Sequence, residues 1–194
     1  MSLSEILALV QLVNLVQPMR AFEIGTFHGR SAMNIALNCP AGAELLTLDL
    51  PEEAQAVPRL PLDEKDSDFI VRRAVGRYFG DRRTPARIRQ VHGDSATFDF
   101  SPYYSECDLV LIDGSHSREY VFNDSLVALR LLSARGGLIA WHDYGKEAWP
   151  GVYMALHALR RNRPEFAELR WIEATSIAVL ATGEIAARLR LQLS

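Results

Sequence analysis

The chain has 194 residues, with 21 Lys and Arg against 24 Asp and Glu, for a net charge of −3. That length suits one α/β domain with a substantial core and is short for two. So small a charge makes no electrostatic case for nucleic acid or an anionic membrane, and no run approaches the ~20 apolar residues of a membrane span.

The N-terminus shows no basic stretch leading into an apolar one and a cleavage site, so no signal peptide is expected. Cys39 and Cys107 are the only cysteines. Both sit in or beside apolar segments, the setting of small buried thiols rather than of a disulfide. A reducing cytoplasm is the expected compartment.

Ser2-Leu-Ser-Glu5 has capping-box spacing and opens a helix with Ile6, Val10, Val13 and Val16 at helical intervals, ended by Pro18. Arg20 to Ile24 then reads as a buried strand running into a turn bracketed by Gly25 and Gly29, and a helix resumes at Ser31. A strand, a glycine turn and a helix N-terminus are how α/β folds cradle a nucleotide. The spacing here is Glu-x-Gly-x-x-x-Gly, without the Gly-x-Gly-x-x-Gly of pyrophosphate sites. Glu23 would repel a phosphate and suit an ammonium group, which points to a nucleoside with an amino-acid tail such as S-adenosylmethionine.

Glu44 to Leu50 reads as the second strand and ends in Asp49, where dinucleotide folds place an acid for ribose hydroxyls. Pro51 to Asp68 holds three prolines and six acidic residues without periodicity, so it is expected to be a lid or substrate loop. Phe69 to Gly80 has a helical pattern. The arginines from Arg72 to Arg89 form the one basic stretch, read as a solvated face. Ile88 to His92 is a short strand leading to Gly93-Asp94-Ser95. There Asp94 could accept from an adenine amino group, although a plain turn or helix cap explains it equally well.

Cys107 to Ile112 has the continuous apolar character of a buried parallel strand and delivers Asp113-Gly-Ser-His116. Ser117 caps a helix with Phe122, Leu126, Leu129 and Leu132 on one face, stopped by Gly136-Gly137. Leu138 to Trp141 is the next strand and delivers His142-Asp143-Tyr144. Trp149 and Tyr144, just beyond, are candidates to line a substrate pocket. A helix at Pro150 to Leu159, strands at Phe166 to Glu173 and Ser176 to Leu180, and a last helix after Gly183 complete the chain.

The ordered set EIGTFHGRS, TLDL, HGDS, DLVLIDGSHS and GGLIAWHDY resembles the class I S-adenosylmethionine-dependent methyltransferases. More closely, it resembles methyltransferase family 24, related to metal-dependent O-methyltransferases and cephalosporin-hydroxylase-like proteins. The resemblance runs from about Glu5 to Thr182. It implies a single Rossmann-like α/β domain over 1–194, with a mostly parallel seven-stranded sheet, helices on both faces and an antiparallel C-terminal strand pair.

It also implies roles. Glu23, Gly25 and Gly29 match the motif around the methionine end of the cofactor, with Thr26 and Ser31 in the same turn. Asp49 matches the ribose acid, and Asp94 and Ser95 match the adenine-side turn. Asp113 matches the strand-four acid, which in metal-dependent relatives binds a divalent ion, and His142 and Asp143 fall where those relatives carry further ligands. His142 stands where a carboxylate is frequent; imidazole suits Mn, Fe, Ni or Zn better than Mg.

The expected activity is O-methylation of a small hydroxylated metabolite, with S-adenosylmethionine as cofactor and Mg or another divalent metal as an option. Asp113, His116 and His142 are the candidate catalytic residues, either histidine serving as the base if neutral near pH 7. A non-catalytic S-adenosylmethionine-binding protein and a metal-assisted hydrolase are the rival readings. The expected partners are a small-molecule acceptor and a second copy of the chain, with neither nucleic acid nor membrane.

Overall fold

The computed structural model describes residues 1–51, 58–66, 75–80 and 83–193. Seven strands form one sheet: β1 Arg20–Ile24, β2 Glu44–Asp49, β3 Arg87–His92, β4 Leu109–Ile112, β5 Leu138–Trp141, β6 Arg170–Trp171 and β7 Ala178–Ala181. Their order across the sheet is β3-β2-β1-β4-β5-β7-β6. The first five run parallel, while β7 is antiparallel to both β5 and β6. This is the expected sheet.

Among the described residues the helices are α1 Leu3–Val16, α2 Arg30–Asn38, α3 Arg118–Leu131, α4 Pro150–Asn162 and α5 Gly183–Leu193. Strand side chains alternate between two apolar layers. Phe22, Leu46, Val110 and Ile139 pack beneath α3 and α4 with Trp141. Ala21, Leu45, Leu109 and Leu138 face α1, α2 and Ile185 of α5. Each fully buried Leu or Ile in these layers contributes roughly 2 kcal/mol, so both faces hold the strand tips in place.

The register aligns those tips. Ile24 lies beside Leu48 on one side and Ile112 on the other, and Ile112 lies beside Trp141. Gly25, Asp49, Asp113 and His142 therefore emerge along one edge, the carboxyl edge where open α/β sheets bind ligands.

Several local expectations need correction. The buried face of α3 is Tyr120, Val121, Asp124, Ser125, Ala128 and Leu131, while Phe122, Leu126 and Leu129 are only half-buried. The helix packs against α4 as well as the sheet, and small side chains allow the close approach. Polar atoms on that face are bonded internally: Trp141 Nε1 donates to Ser125 Oγ at 2.9 Å, and Ser125 Oγ donates to the Val121 carbonyl at 2.6 Å. The strand expected from Phe166 to Glu173 is only Arg170–Trp171, because Pro164–Phe166 forms a single 3₁₀ turn. Of the helical pattern at Phe69 to Gly80, residues 69–74 lie outside the described residues, and 75–80 form turns. Of the expected loop, 52–57 and 67–68 also lie outside them, as do Arg72, Arg73 and Arg82. Arg77, Arg83 and Arg87 are exposed.

Cys39 and Cys107 are buried free thiols, and burial pushes them up to about 11 and about 12. Neither is poised as a nucleophile. Among the described residues no helix is long and apolar enough to cross a membrane.

Candidate active site

A cavity of about 270 Å³ lies along the carboxyl edge, lined on one side by Gly25, Asp49, Asp94 and Ser95, and on the other by Asp113, His116, His142 and Asp143. Met1, Phe27, Leu62, Tyr120 and Trp149 complete much of its wall.

Gly25 has φ +98°, and a Cβ built on it would overlap the Asp113 carbonyl. Only glycine lets the β1 turn lie this close to the tip of β4. Asp49 ties down the same turn, accepting from the backbone N–H groups of Thr26 at 3.1 Å, Phe27 at 2.7 Å and Leu50 at 2.7 Å. Gly29, at φ +79°, caps α2 and packs under the Phe79 ring, away from the cavity lining.

Glu23, Thr26 and Ser31 do not line the cavity. Glu23 is fully buried beneath the glycine turn, where the hydroxyls of Ser31 and Thr47 donate to its two oxygens. Thr26 Oγ1 lies 2.7 Å from Thr47 Oγ1 and accepts from Gln90 Nε2 at 3.0 Å, which extends the chain of hydroxyls. Burial pushes Glu23 up to about 8 against the pull of those hydroxyls, with Asp113 and Asp49 adding to the rise. The expectation that Glu23 faces a ligand ammonium is corrected by its burial: the carboxyl lies under the turn, bonded to Ser31 and Thr47, and braces it from below.

On the opposite wall two imidazoles each lie between carboxylates. His116 Nδ1 is 2.6 Å from Asp66 Oδ1, and its Nε2 is 2.8 Å from Asp143 Oδ2. His142 Nδ1 is 2.9 Å from Asp113 Oδ1 and 3.0 Å from Asp143 Oδ2, while its Nε2 is 3.2 Å from Glu5 Oε2. Asp143 has φ +64°, and Lys146 Nζ ion-pairs with its other oxygen.

Burial alone would lower both histidines, but the carboxylates outweigh it. Asp143 and Asp66 raise His116 to about 9, and Asp113 and Asp143 raise His142 to about 10. Both are imidazolium at pH 7, so the expectation of a neutral histidine base at that pH is corrected by the carboxylate on each ring nitrogen. In turn, the imidazolium groups and Lys146 hold Asp143 well below the usual carboxylate range despite its burial.

Among the described residues, the ligand-type atoms that converge within 4.8 Å belong to Asp113, His116 and Asp143. His142, expected as a ligand beside Asp113 and Asp143, lies outside that group and packs next to it, its nitrogens on Glu5, Asp113 and Asp143. Two carboxylate oxygens and one imidazole nitrogen, with Asp66 behind the imidazole, fit a divalent ion of the Mn, Fe or Zn kind, provided His116 gives up a proton.

Three contributors were missed from the sequence. Glu5 is legible only as a capping residue, Asp66 sits in an aperiodic acidic stretch, and Tyr120 is one apolar-periodic position among several. In the fold, Tyr120 donates to Asp94 Oδ1 at 2.9 Å, and Asp94 Oδ2 accepts from the Arg59 N–H at 2.8 Å. Trp149 lines the cavity, as expected, and Tyr144 does not. The positive φ at Asp143 turns the chain so that the Tyr144 N–H bonds the Ser176 carbonyl at 2.9 Å, and its ring stacks with Tyr153 and His157. Of the other histidines, His28 stacks on Phe27 in the glycine turn and His92 is exposed at the end of β3.

The family described as "Methyltransferase domain" matches residues 22–144. No curated protein matches the sequence. Solved structures with the same fold include an O-methyltransferase from Bacillus cereus in complex with S-adenosylhomocysteine, 18% identical, with a TM-score of 0.59 over 94% of this chain and 82% of that one. The O-methyltransferase TomG from Streptomyces achromogenes, in complex with S-adenosylmethionine, is 19% identical, with a TM-score of 0.58 over 94% and 82%. The methyltransferase PaMTH1 from Podospora anserina, bound to S-adenosylhomocysteine, is 14% identical, with a TM-score of 0.63 over 92% and 78%.

Proposed function

This chain belongs to the methyltransferase-domain family and is a class I S-adenosylmethionine-dependent methyltransferase; from that premise we propose that it methylates an oxygen of a small hydroxylated acceptor. The observation that carries the reading is one cavity with two chemically different walls: a glycine turn with Asp49 and Asp94 on one side, and Asp113, His116 and Asp143 on the other.

When bound, S-adenosylmethionine supplies an activated methyl on a sulfonium. Gly25 offers a close backbone floor for its amino-acid end, Asp49 a carboxylate for the ribose, and Asp94 and Ser95 the turn for the adenine. Asp113 and His116 face the space left for the acceptor. Alignment of the acceptor oxygen is the proximity contribution, several kcal/mol where geometry is tight. The acceptor proton passes to the Asp113–His116 side, and His116 accepts it in its neutral form, which grows as pH rises toward 9. A divalent ion, where used, would be held by Asp113, His116 and Asp143 and would lower the pKa of the acceptor hydroxyl. His142 orients Asp113 and Asp143 from behind.

Calorimetric titration with S-adenosylhomocysteine, with NAD as control and with and without Mn²⁺, tests the cofactor. A panel of phenolic and sugar hydroxyls then tests the acceptor. Micromolar S-adenosylhomocysteine binding, and turnover lost in Asp113→Ala with that binding spared, is the expected result. Stronger NAD binding, or full turnover in Asp113→Ala, overturns the reading. Binding without methylation of any acceptor leaves a cofactor-binding protein and rejects the enzymatic assignment.

A further inference from the structure

We infer that Asp66, on the segment covering residues 58–66, is a positioning residue that fixes the His116 ring at the cavity wall; its kinetic consequence rests on the methyl-transfer reading, its geometry does not. Asp66 is 5% exposed and takes three contacts from two consecutive residues at the tip of β4. Its Oδ1 lies 2.6 Å from His116 Nδ1. Its Oδ2 accepts from the His116 backbone N–H at 2.9 Å and from the Ser115 hydroxyl at 2.7 Å.

An ionised carboxylate offers only acceptors, so the ring nitrogen facing it must carry the hydrogen. Nε2 is thereby aimed at Asp143 Oδ2, 2.8 Å away. Trp149 lies flat against the ring, with centroids 3.8 Å apart and planes 16° apart, which sets its plane but not its rotation within that plane. Asp66 and Asp143 set the rotation together, since a flipped ring would place carbon against both carboxylates, and Asp66 is the one that also accepts from the His116 backbone N–H.

The segment itself is pinned at both ends of the cavity. The Arg59 N–H donates to Asp94 Oδ2 at 2.8 Å, the Leu60 N–H to the Tyr120 hydroxyl at 3.4 Å, and Lys65 Nζ to the Ala148 carbonyl at 3.2 Å. Leu62 lines the cavity between those anchors. One segment therefore reaches Asp94, on the side assigned to the nucleoside, and His116, on the side assigned to the acceptor. Asp66 acts through His116, as outer carboxylates orient imidazoles in catalytic and metal sites.

Asparagine is the informative replacement. The backbone N–H of His116 requires the amide oxygen, so the amide NH₂ must face Nδ1. That reverses the polarity of the contact: Nδ1 gives up its hydrogen, and the doubly protonated ring becomes a neutral one protonated only on Nε2, opposite Asp143.

The test uses the full chain and side-chain ¹⁵N NMR of His116 in the wild type, Asp66→Asn and Asp66→Glu, together with S-adenosylhomocysteine titration and steady-state kinetics. The wild type is expected to show a protonated Nδ1, and Asp66→Asn to lose it. S-adenosylhomocysteine affinity should stay within about threefold while kcat falls about 10- to 100-fold, with partial rescue by Asp66→Glu. An unprotonated Nδ1 in the wild type overturns the inference without any variant, so a failure of Asp66→Asn to fold does not shield it. Unchanged kcat in Asp66→Asn also overturns it, as does a loss of cofactor affinity in proportion to kcat, which would mark a purely structural role. A wild type that methylates no acceptor sinks the methyltransferase reading instead, and the nitrogen spectrum still decides the contact.

Discussion

Glu5 Oε2 lies 3.2 Å from His142 Nε2, which joins the first turn of α1 to the tip of β5. The same carboxylate completes the capping box with Ser2 and accepts from the Ser176 hydroxyl. Burial raises its pKa, but Ser176, the Ser2 backbone and His142 more than compensate, so the carboxyl sits well below its ordinary value. A depressed carboxylate contributes stability above its unfolded value of 4.5, and that contribution fades as pH falls. Glu5→Gln should lose about 1–3 kcal/mol at pH 7 in urea denaturation, the deficit shrinking toward acid pH, with S-adenosylhomocysteine affinity unchanged. Equal deficits at pH 7 and at strongly acid pH would rule out the ionised role.

Glu23 has the opposite sign. Its folded value of about 8 lies above the 4.5 of the unfolded chain, so the native state holds the proton more tightly. Stability is therefore highest below about pH 4.5 for this group and declines as pH rises through 8. Glu23→Gln removes that titration. Its stability relative to wild type should improve steadily from pH 5 to pH 8.5, by a few kcal/mol at most. A pH-independent difference would place a charged Glu23 in the native state.

Two glycines with positive φ separate close approach from simple backbone freedom. Gly25 faces the Asp113 carbonyl, whereas Gly145, at φ +76°, has nothing within 4 Å of its built Cβ. Gly145→Ala should cost about 1 kcal/mol and leave cofactor binding intact. Gly25→Ala should cost about 3 kcal/mol or more and abolish S-adenosylhomocysteine binding, because β1 and β4 must separate. Comparable binding in both variants would mean that the floor of the cavity is not at Gly25.

The Tyr120 hydroxyl is bonded to Asp94 Oδ1 and also receives the Leu60 N–H. Tyr120→Phe removes one of the hydrogen bonds that hold Asp94, which keeps the Ala96 and Arg59 N–H groups, and loosens residues 58–66 at that end. A loss of about 1 kcal/mol, or roughly fivefold in S-adenosylhomocysteine affinity, is expected, with kcat little changed. A fall in kcat at unaltered affinity would move Tyr120 to the acceptor side.

His116, raised to about 9, must release a proton before it can ligate a cation. Mn²⁺ affinity, measured by calorimetry, should therefore climb between pH 6.5 and 8.5 by up to about tenfold per unit. The heat should vanish in Asp113→Asn. Affinity that ignores pH would exclude His116 from the donor set. Turnover that persists in chelator would assign the proton to the neutral imidazole without a metal.

How much was legible beforehand follows from the range of each interaction. The apolar runs Leu109–Ile112 and Leu138–Trp141, the capping box at Ser2 and Glu5, and the glycine turn at Gly25 are local patterns, set by backbone geometry and burial within a few residues. They were enough for the parallel sheet and for placing Asp49, Asp94, Asp113, His116, His142 and Asp143 at one edge. The chain order carried that information because parallel strands share a carboxyl edge.

Which atoms meet there was decided by tertiary structure alone. Asp66 comes from an aperiodic loop and Glu5 from a helix at the far end of the chain, and no spacing rule links either to a histidine. Their carboxylates convert both imidazoles from neutral bases into cations at pH 7. The turn at Asp143 sends Tyr144 away from the cavity, and close packing beneath Gly25 hides Glu23 from it. Side-chain charge states and directions depend on neighbours brought together across the chain, so residue order determined the edge and its inventory, while three-dimensional packing determined the chemistry of that inventory.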